Sequence, residues 1–355
     1  MALAWAKRAI AVLRMGHMKK LGKVLLVGLG LLGVLLAAAI SLTIGWRPFI
    51  GPEARPLTER RFESTPERLA RGQYLATSVS GCLYCHSEHD WTAPGAPILP
   101  GRQGAGAPLP YIDLPGRIVA PNLTPDPETG AGNWTDDQIA RAVREGIGHD
   151  GRALFPIMAY GRFRSMADED LASIVVYLRS LHPVHHALPK TEIIFPVKYL
   201  IRSAPQPLTT TVSRPDPSDR VAWGHYMATI GGCEDCHTAQ ERGKDIANMN
   251  FAGGFFLGLN GGETAAAANI TPDSTGISYY DEPMFLKMMR TGYVGSRKLS
   301  PLMPYRFYGN MTDDDLKALF AYLRTVKPVH HRVDNSLPVT YCKLCRQWHG
   351  AGEQN

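Results

Sequence analysis

The 355-residue chain has room for two modest domains, and a composition of 45% hydrophobic and 20% charged residues is that of a folded rather than a disordered protein. Its net charge of +6 is unevenly placed: Lys7, Arg8, Arg14, Lys19, Lys20, Lys23 and Arg47 all precede Glu53, the first acidic residue. Without those seven, 31 basic residues face 32 acidic ones, so the body is near neutral and nothing marks it as a nucleic-acid binder.

The chain opens with a basic segment, residues 1–23, expected on the cytoplasmic side. Val24 to Ile44 then carry no charge. At about 1.5 Å rise per residue, a helix of that length spans the hydrocarbon core, and residues 24–45 read as a single transmembrane anchor. Six of the seven basic residues come before it, so everything after Trp46 is expected to be exported, on the extracytoplasmic side. Ala37-Ala38-Ala39 offers a signal-peptide cleavage site as the alternative, but the apolar run exceeds the usual ~7–15 residues of a signal.

Beyond the anchor the sequence repeats itself. RLARGQYLATSVSGCLYCHS (68–87) corresponds to RVAWGHYMATIGGCEDCHT (220–238), PNLTPD (121–126) to ANITPD (268–273), and FPIMAYGRF (155–163) to SPLMPYRFY (300–308). The copies close on DLASIVVYLRSLHPVHH (170–186) and DLKALFAYLRTVKPVHH (315–331). The pattern predicts helices. Leu69, Tyr74, Leu75 and Val79 fall roughly on one face. Thr135 and Gln138 form a capping box for a helix ending at Gly146 or Gly148. Leu171, Ile174, Val175, Leu178, Leu181 and their counterparts Leu316, Leu319, Phe320, Leu323, Val326 make helical stripes. Residues 187–215, rich in proline but holding IIFPVKYLI (193–201), read as a linker packed on a domain. Residues 333–355 form a tail.

Each repeat contains Cys-x-x-Cys-His: Cys82, Cys85, His86 and Cys233, Cys236, His237. Two thiols at this spacing add to the vinyl groups of one haem, and the next residue reaches the iron. A thioredoxin-like redox pair or half a zinc site would share the cysteines, but neither accounts for two copies in matching surroundings on the exported side of an anchor. For the remaining iron position, Met158 and Met303 occupy equivalent loops ahead of the last helix, each beside a proline-containing turn. Met166 and Met311 also match, but sit where a hydrophobic staple is expected. His185/His186 and His330/His331 follow a helix and a proline, a common position for polar histidines, and bis-histidine ligation is the lesser reading. His149 and His225 lack counterparts and read as surface or packing residues.

On GCLYCHS, GCEDCHT, PNLTPDPETGAGNWTDDQ, ANITPD, the MAY and MPY loops, YLRSLHPV, YLRTVKPV and FPVKYLIR, the chain resembles class I cytochromes c. Over residues 66–332 it is similar to the membrane-bound cytochrome c subunits of periplasmic alcohol, gluconate and sorbitol dehydrogenases. The resemblance implies an all-α fold: two tandem cytochrome c class I-like domains, 66–186 and 216–332, behind the helix. It also implies two haem c groups with His86/Met158 and His237/Met303 as axial ligands. Those subunits usually carry three haem motifs. Here the third pair reads Cys342-Lys-Leu-Cys345-Arg346, and arginine cannot ligate iron. A disulfide, a metal site with His349, and a haem are the readings of that pair, in that order.

With both irons fully ligated, the expected role is electron transfer rather than catalysis. The expected partners are the membrane, through the N-terminal helix, and redox proteins: a dehydrogenase subunit or quinol-oxidising complex on one side, an oxidase or soluble cytochrome on the other. A dihaem peroxidase or thiosulfate-oxidising enzyme, and a structural or redox-sensing subunit of a respiratory complex, are the alternatives.

Overall fold

The structure is a computed structural model that describes residues 2–354 apart from 94, 95, 242 and 261. It begins with helix α1 (Ala2–Thr43), in which Lys20–Thr43 is long and apolar enough to cross a membrane and is not buried against the rest of the chain. The helix starts well before the expected position 24, so the basic segment continues it. The side chains of Lys7, Arg8, Arg14 and Lys19 lie outside those described. An apolar N-terminal helix of this kind is compatible with an anchor or with a signal sequence.

A short helix α2 (Arg47–Ile50) follows. The chain then runs extended to residue 65. It is held there by buried charge: the Arg55 guanidinium donates to both carboxylate oxygens of Asp137, at 2.6 and 2.7 Å, and to Glu145 at 2.8 Å. The main-chain N–H of Thr58 also donates to Asp137, at 2.7 Å. Arg55 and Thr58 together hold the Asp137 carboxyl at about 2 against the opposing effect of burial.

The first repeat then supplies α3 (Pro66–Tyr74), α4 (Cys82–Cys85), α5 (Asp136–Glu145), α6 (Tyr160–Phe163) and α7 (Asp168–Arg179). After α8 (Val197–Leu200) in the linker, the second supplies α9 (Arg220–Ile230), α10 (Cys233–His237), α11 (Glu282–Thr291), α12 (Tyr305–Tyr308) and α13 (Asp313–Leu323). The fold is mostly helical, as expected. The strands described are two to four residues long and pair only in two-stranded antiparallel ribbons.

Local chemistry explains several boundaries. Thr135 and Gln138 do form the reciprocal capping box of α5, which stops at left-handed Gly146. The expected stripes of α7 and α13 are buried, with Leu181 and Val326 at their edges. The first repeat's opening helix departs from expectation. It widens into a π turn over Leu75–Val79, and Leu69 remains exposed, because the face turned to α7 is centred on Gly72. A Cβ on Gly72 would lie 1.8 Å from the carbonyl oxygen of Ser173, and one on Gly224 would lie 1.9 Å from that of Ala318. Each repeat thus crosses its first and last helices backbone to backbone at a glycine.

The hydrophobic core is continuous through both repeats. A reciprocal pair of phenols ties them. Tyr226 of α9 donates to Asp170 of α7 at 2.6 Å and accepts from the N–H of Ala167 at 3.1 Å. At the equivalent positions Tyr74 of α3 donates to Asp315 of α13 and accepts from the N–H of Thr312 at 3.1 Å. Asp170 also receives a bidentate Arg71, and Asp315 receives the Trp223 indole N–H at 2.6 Å. Burial and the adjacent carboxylates push both phenols up, so they stay protonated and donate.

The linker docks through its backbone. Glu192–Ile193 pair with Gly116–Arg117, and the Asp168 N–H donates to Val212. Its apolar side chains do not all pack as expected: Ile194 and Phe195 are exposed. The linker helix α8 lies against α2, where Phe49 and Ile50 are exposed as well, and Arg202 donates to the carbonyl of Pro48 at 3.0 Å.

Candidate functional site

Both Cys-x-x-Cys segments are one-turn helices, α4 and α10, entered through a left-handed glycine, Gly81 (φ 64°) and Gly232 (φ 67°). A side chain would strain that conformation. All six cysteines of the chain stand as free thiols. Burial pushes Cys82, Cys233 and Cys236 up to about 12 and Cys85 to about 11. They are half-buried, neutral thiols rather than activated nucleophiles.

The histidine after each pair is fixed the same way. His86 Nδ1 lies 2.8 Å from the carbonyl oxygen of Pro121, and His237 Nδ1 lies 2.7 Å from that of Ala268. A carbonyl only accepts, so Nδ1 carries the proton and Nε2 keeps its lone pair. Burial lowers the pKa of both rings, which favours the neutral form a metal needs.

Those carbonyls belong to the residues just before Asn122 and Asn269, and here the repeated N-x-T-P-D motif acquires a role. The Asn122 carbonyl oxygen accepts from the N–H and hydroxyl of Thr124, while its amide donates to Val184 beyond α7 at 2.8 Å. Asn269 accepts from Thr271 in the same way and donates to Val329 at 2.9 Å and His331 at 3.0 Å. The asparagine locks the loop that orients the histidine to the strand of chain leaving the last helix. The sequence displayed the motif, but only the fold exposes what it holds.

Met158 ends a turn (Pro156–Met158) before left-handed Ala159, and Met303 lies in the equivalent loop ahead of α12. Both are half-buried at the edge of the core, whereas Met166 and Met311 are fully buried within it. His149 stacks on Trp134 and His225 packs on Tyr322, as their lack of counterparts suggested. His185 and His330 are exposed, beside Asp126 and Asp273. His331 does not follow the surface role expected of its pair. It is 3% exposed, turned inward to the tail.

The two motifs approach each other. Cys85 acts electrostatically on Cys236, and Cys233, Cys236 and Cys85 all add to the effect of burial in raising the pKa of Tyr308, which donates to the carbonyl of Gly231 at 2.6 Å. Tyr84 packs near Phe307, with ring centroids 6.1 Å apart. Leu83, Tyr84 and His89 face Met303 and Phe307 across a cleft of 270 Å³. Arg162, four residues past Met158, reaches the acidic spacer of the second motif, contacting Glu234 at 2.7 Å and Asp235 at 2.8 Å, and Asp245 at 3.1 Å. Neither Arg162 nor Tyr308 was singled out from the sequence, since long-range proximity leaves no local signal. The donor set fits a c-type haem: paired free thiols, a neutral imidazole with Nε2 available, and a thioether in a matching loop.

No family model matches the chain. Curated relatives do. It is 27% identical over 301 residues to a nicotinate dehydrogenase component of Pseudomonas putida, covering 81% of this chain and 23% of that protein. It is 28% identical over 277 residues to the cytochrome c subunit of the quinone alcohol dehydrogenase of Gluconobacter oxydans, covering 74% of this chain and 55% of the relative. A diheme cytochrome c-type protein of Cereibacter sphaeroides is 25% identical over 284 residues, 76% of this chain and 92% of its own length. Cytochrome subunits of fructose and gluconate dehydrogenases match as well. The chain therefore spans between a quarter and about half of the first relatives it matches. These relatives agree with the resemblance carried by the motifs: cytochrome c subunits of dehydrogenases and a dihaem cytochrome. They imply electron transfer through haem c.

Proposed function

We propose that the chain is a membrane-anchored dihaem cytochrome c that moves electrons on the periplasmic face of a bacterial inner membrane. One haem is attached to Cys82 and Cys85 with His86 and Met158 as iron ligands. The other is attached to Cys233 and Cys236 with His237 and Met303. Domains 66–186 and 216–332 hold them behind the anchor at 24–45. The carrying observation is that two histidines in repeated surroundings each donate Nδ1–H to a carbonyl clamped by Asn-x-Thr, which leaves the lone pair on Nε2. When bound, haem supplies an iron that alternates between the ferric and ferrous states. The chain's residues attach it, fix the imidazole tautomer, and offer a thioether that favours the ferrous form.

The packing of Tyr84 of the first motif against Phe307 of the second repeat, and the reach of Arg162 to Glu234 and Asp235, support transfer between the two sites within one chain. The exposed Phe49, Ile50, Ile194 and Phe195, flanked by Arg47, Lys198 and Arg202 at the foot of α1, suit a surface resting on the bilayer. The names of the relatives support a dehydrogenase as electron donor, with an oxidase, a quinol-linked complex or a soluble cytochrome completing the circuit. The test is to purify the full chain in detergent from native membrane, count covalent haem after denaturation and identify what co-purifies. Two haems per chain with a dehydrogenase subunit is the expected result. A chain retaining no haem overturns the reading.

A further inference from the structure

Away from both Cys-x-x-Cys-His motifs, one histidine from the end of the second repeat and three side chains of the C-terminal hairpin converge. His331, Cys342, Cys345 and His349 place their ligating atoms within 4.8 Å of one another, and all four are buried. His331 Nε2 lies 3.1 Å from His349 Nε2 and 3.5 Å from Cys342 Sγ. In a tetrahedral zinc site, with Zn–S about 2.3 Å and Zn–N about 2.0–2.1 Å, neighbouring ligands lie about 3.3 Å apart for two nitrogens and about 3.6 Å for sulfur and nitrogen. The observed separations match those edges.

Each ligand is delivered and oriented. The cysteines close a hairpin of Val339–Cys342 and Gln347–Gly350, turned through left-handed Arg346, and His349 returns on its second strand. His331 leaves the second repeat with its N–H on the Thr275 hydroxyl, its carbonyl on the Asn269 amide and its Nδ1 2.7 Å from the carbonyl oxygen of Ala252. His349 Nδ1 lies 3.2 Å from the carbonyl oxygen of Gly350. Each imidazole therefore has a carbonyl behind it, the arrangement that fixes metal-bound histidines. Gly254 (φ +90°) leaves the space: a Cβ there would lie 2.9 Å from the His331 ring and 3.1 Å from Cys345 Sγ.

The first repeat is an internal control. His186, the counterpart of His331, likewise presents Nδ1 to a carbonyl, that of Ala105 at 3.0 Å, but its Nε2 faces Glu88 at 3.9 Å instead of a cysteine hairpin. A Cys342–Cys345 disulfide would use the sulfurs and leave two buried imidazoles meeting nitrogen to nitrogen. A haem would need a ligand where Arg346 stands.

We propose that His331, Cys342, Cys345 and His349 form a tetrahedral Cys2His2 zinc site that pins the C-terminal hairpin to the second repeat. With all four positions supplied by protein, it is a structural site. The hairpin has little core of its own, and the metal supplies what so small a unit lacks. The site also braces the segment 252–254, whose Gly253 N–H donates to the carbonyl of His237 at 2.8 Å.

Zinc and iron are counted by plasma mass spectrometry on the detergent-purified full chain, with covalent haem measured separately so that this proposal and the haem reading can fail independently. One zinc per chain is expected, with zinc-edge X-ray absorption fitting two sulfurs and two imidazole nitrogens. The double variant Cys342→Ser/Cys345→Ser is expected to lose the zinc and keep its haem. A zinc-free chain whose tail peptide is lighter by two hydrogens, a zinc retained by the double variant, or iron in excess of haem would overturn it. If the double variant does not accumulate, the absorption spectrum of the unaltered protein decides: any other ligand set contradicts the site.

Discussion

Between the thiols of the first motif stand Leu83 and Tyr84; between those of the second stand Glu234 and Asp235, with Asp245 close by. Leu83 is fully buried, while the acidic pair remains partly open to solvent and shares one cation, Arg162. Around this difference the mechanics are the same: a glycine at each helix crossing, a carbonyl behind each histidine, an Asn-x-Thr clamp on each loop. These contacts are duplicated, and the charges flanking the two motifs are not. Negative charge stabilises ferric iron, so the second site is expected to lie at the lower potential.

The comparison breaks most visibly if one motif is removed. Cys82→Ser/Cys85→Ser and Cys233→Ser/Cys236→Ser are each expected to leave a single haem per chain by alkaline pyridine spectroscopy. Loss of both from either variant would mean the repeats do not load independently. Next in size, Met158→His and Met303→His should each lower one of two resolved potentials by on the order of 100 mV or more in a spectroscopic titration, leaving the other in place. Gly72→Ala and Gly224→Ala force a methyl into a carbonyl, and each should cost about 3 kcal/mol or more of stability, measured as a fall in Tm. Equal losses would support the equivalence of the two crossings. Arg162→Gln leaves Glu234 and Asp235 uncompensated and should lower the second potential by tens of mV while the first barely moves. Smallest, Tyr74→Phe and Tyr226→Phe each remove one phenol from a buried carboxylate and should cost about 1–3 kcal/mol in denaturant unfolding.

Much of the scaffold was legible because it is local. The capping box at Thr135, the stripes of α7 and α13, and the burial of Met166 and Met311 follow from spacing alone. The two Cys-x-x-Cys-His segments were legible for the same reason, as adjacent residues at a fixed spacing. What stayed hidden was tertiary. Nothing in the order of residues pairs Tyr74 with Asp315 or Arg162 with Glu234, and Arg55 reaches Asp137 from a stretch that reads as featureless. The hairpin was half legible: Cys342 and Cys345 read first as a disulfide and only second as a metal site with His349, and His331 read together with the exposed His330 beside it. Only the fold turns one histidine of that pair to solvent and the other to sulfur.

The central claim is that each iron lies between an imidazole and a thioether. Near-infrared magnetic circular dichroism of the fully oxidised protein counts ferric histidine–methionine centres against haem concentration. The account predicts two such centres per chain, one lost in Met158→Ala and one in Met303→Ala. Two bis-histidine signals, or sulfur signals indifferent to both substitutions, would contradict it.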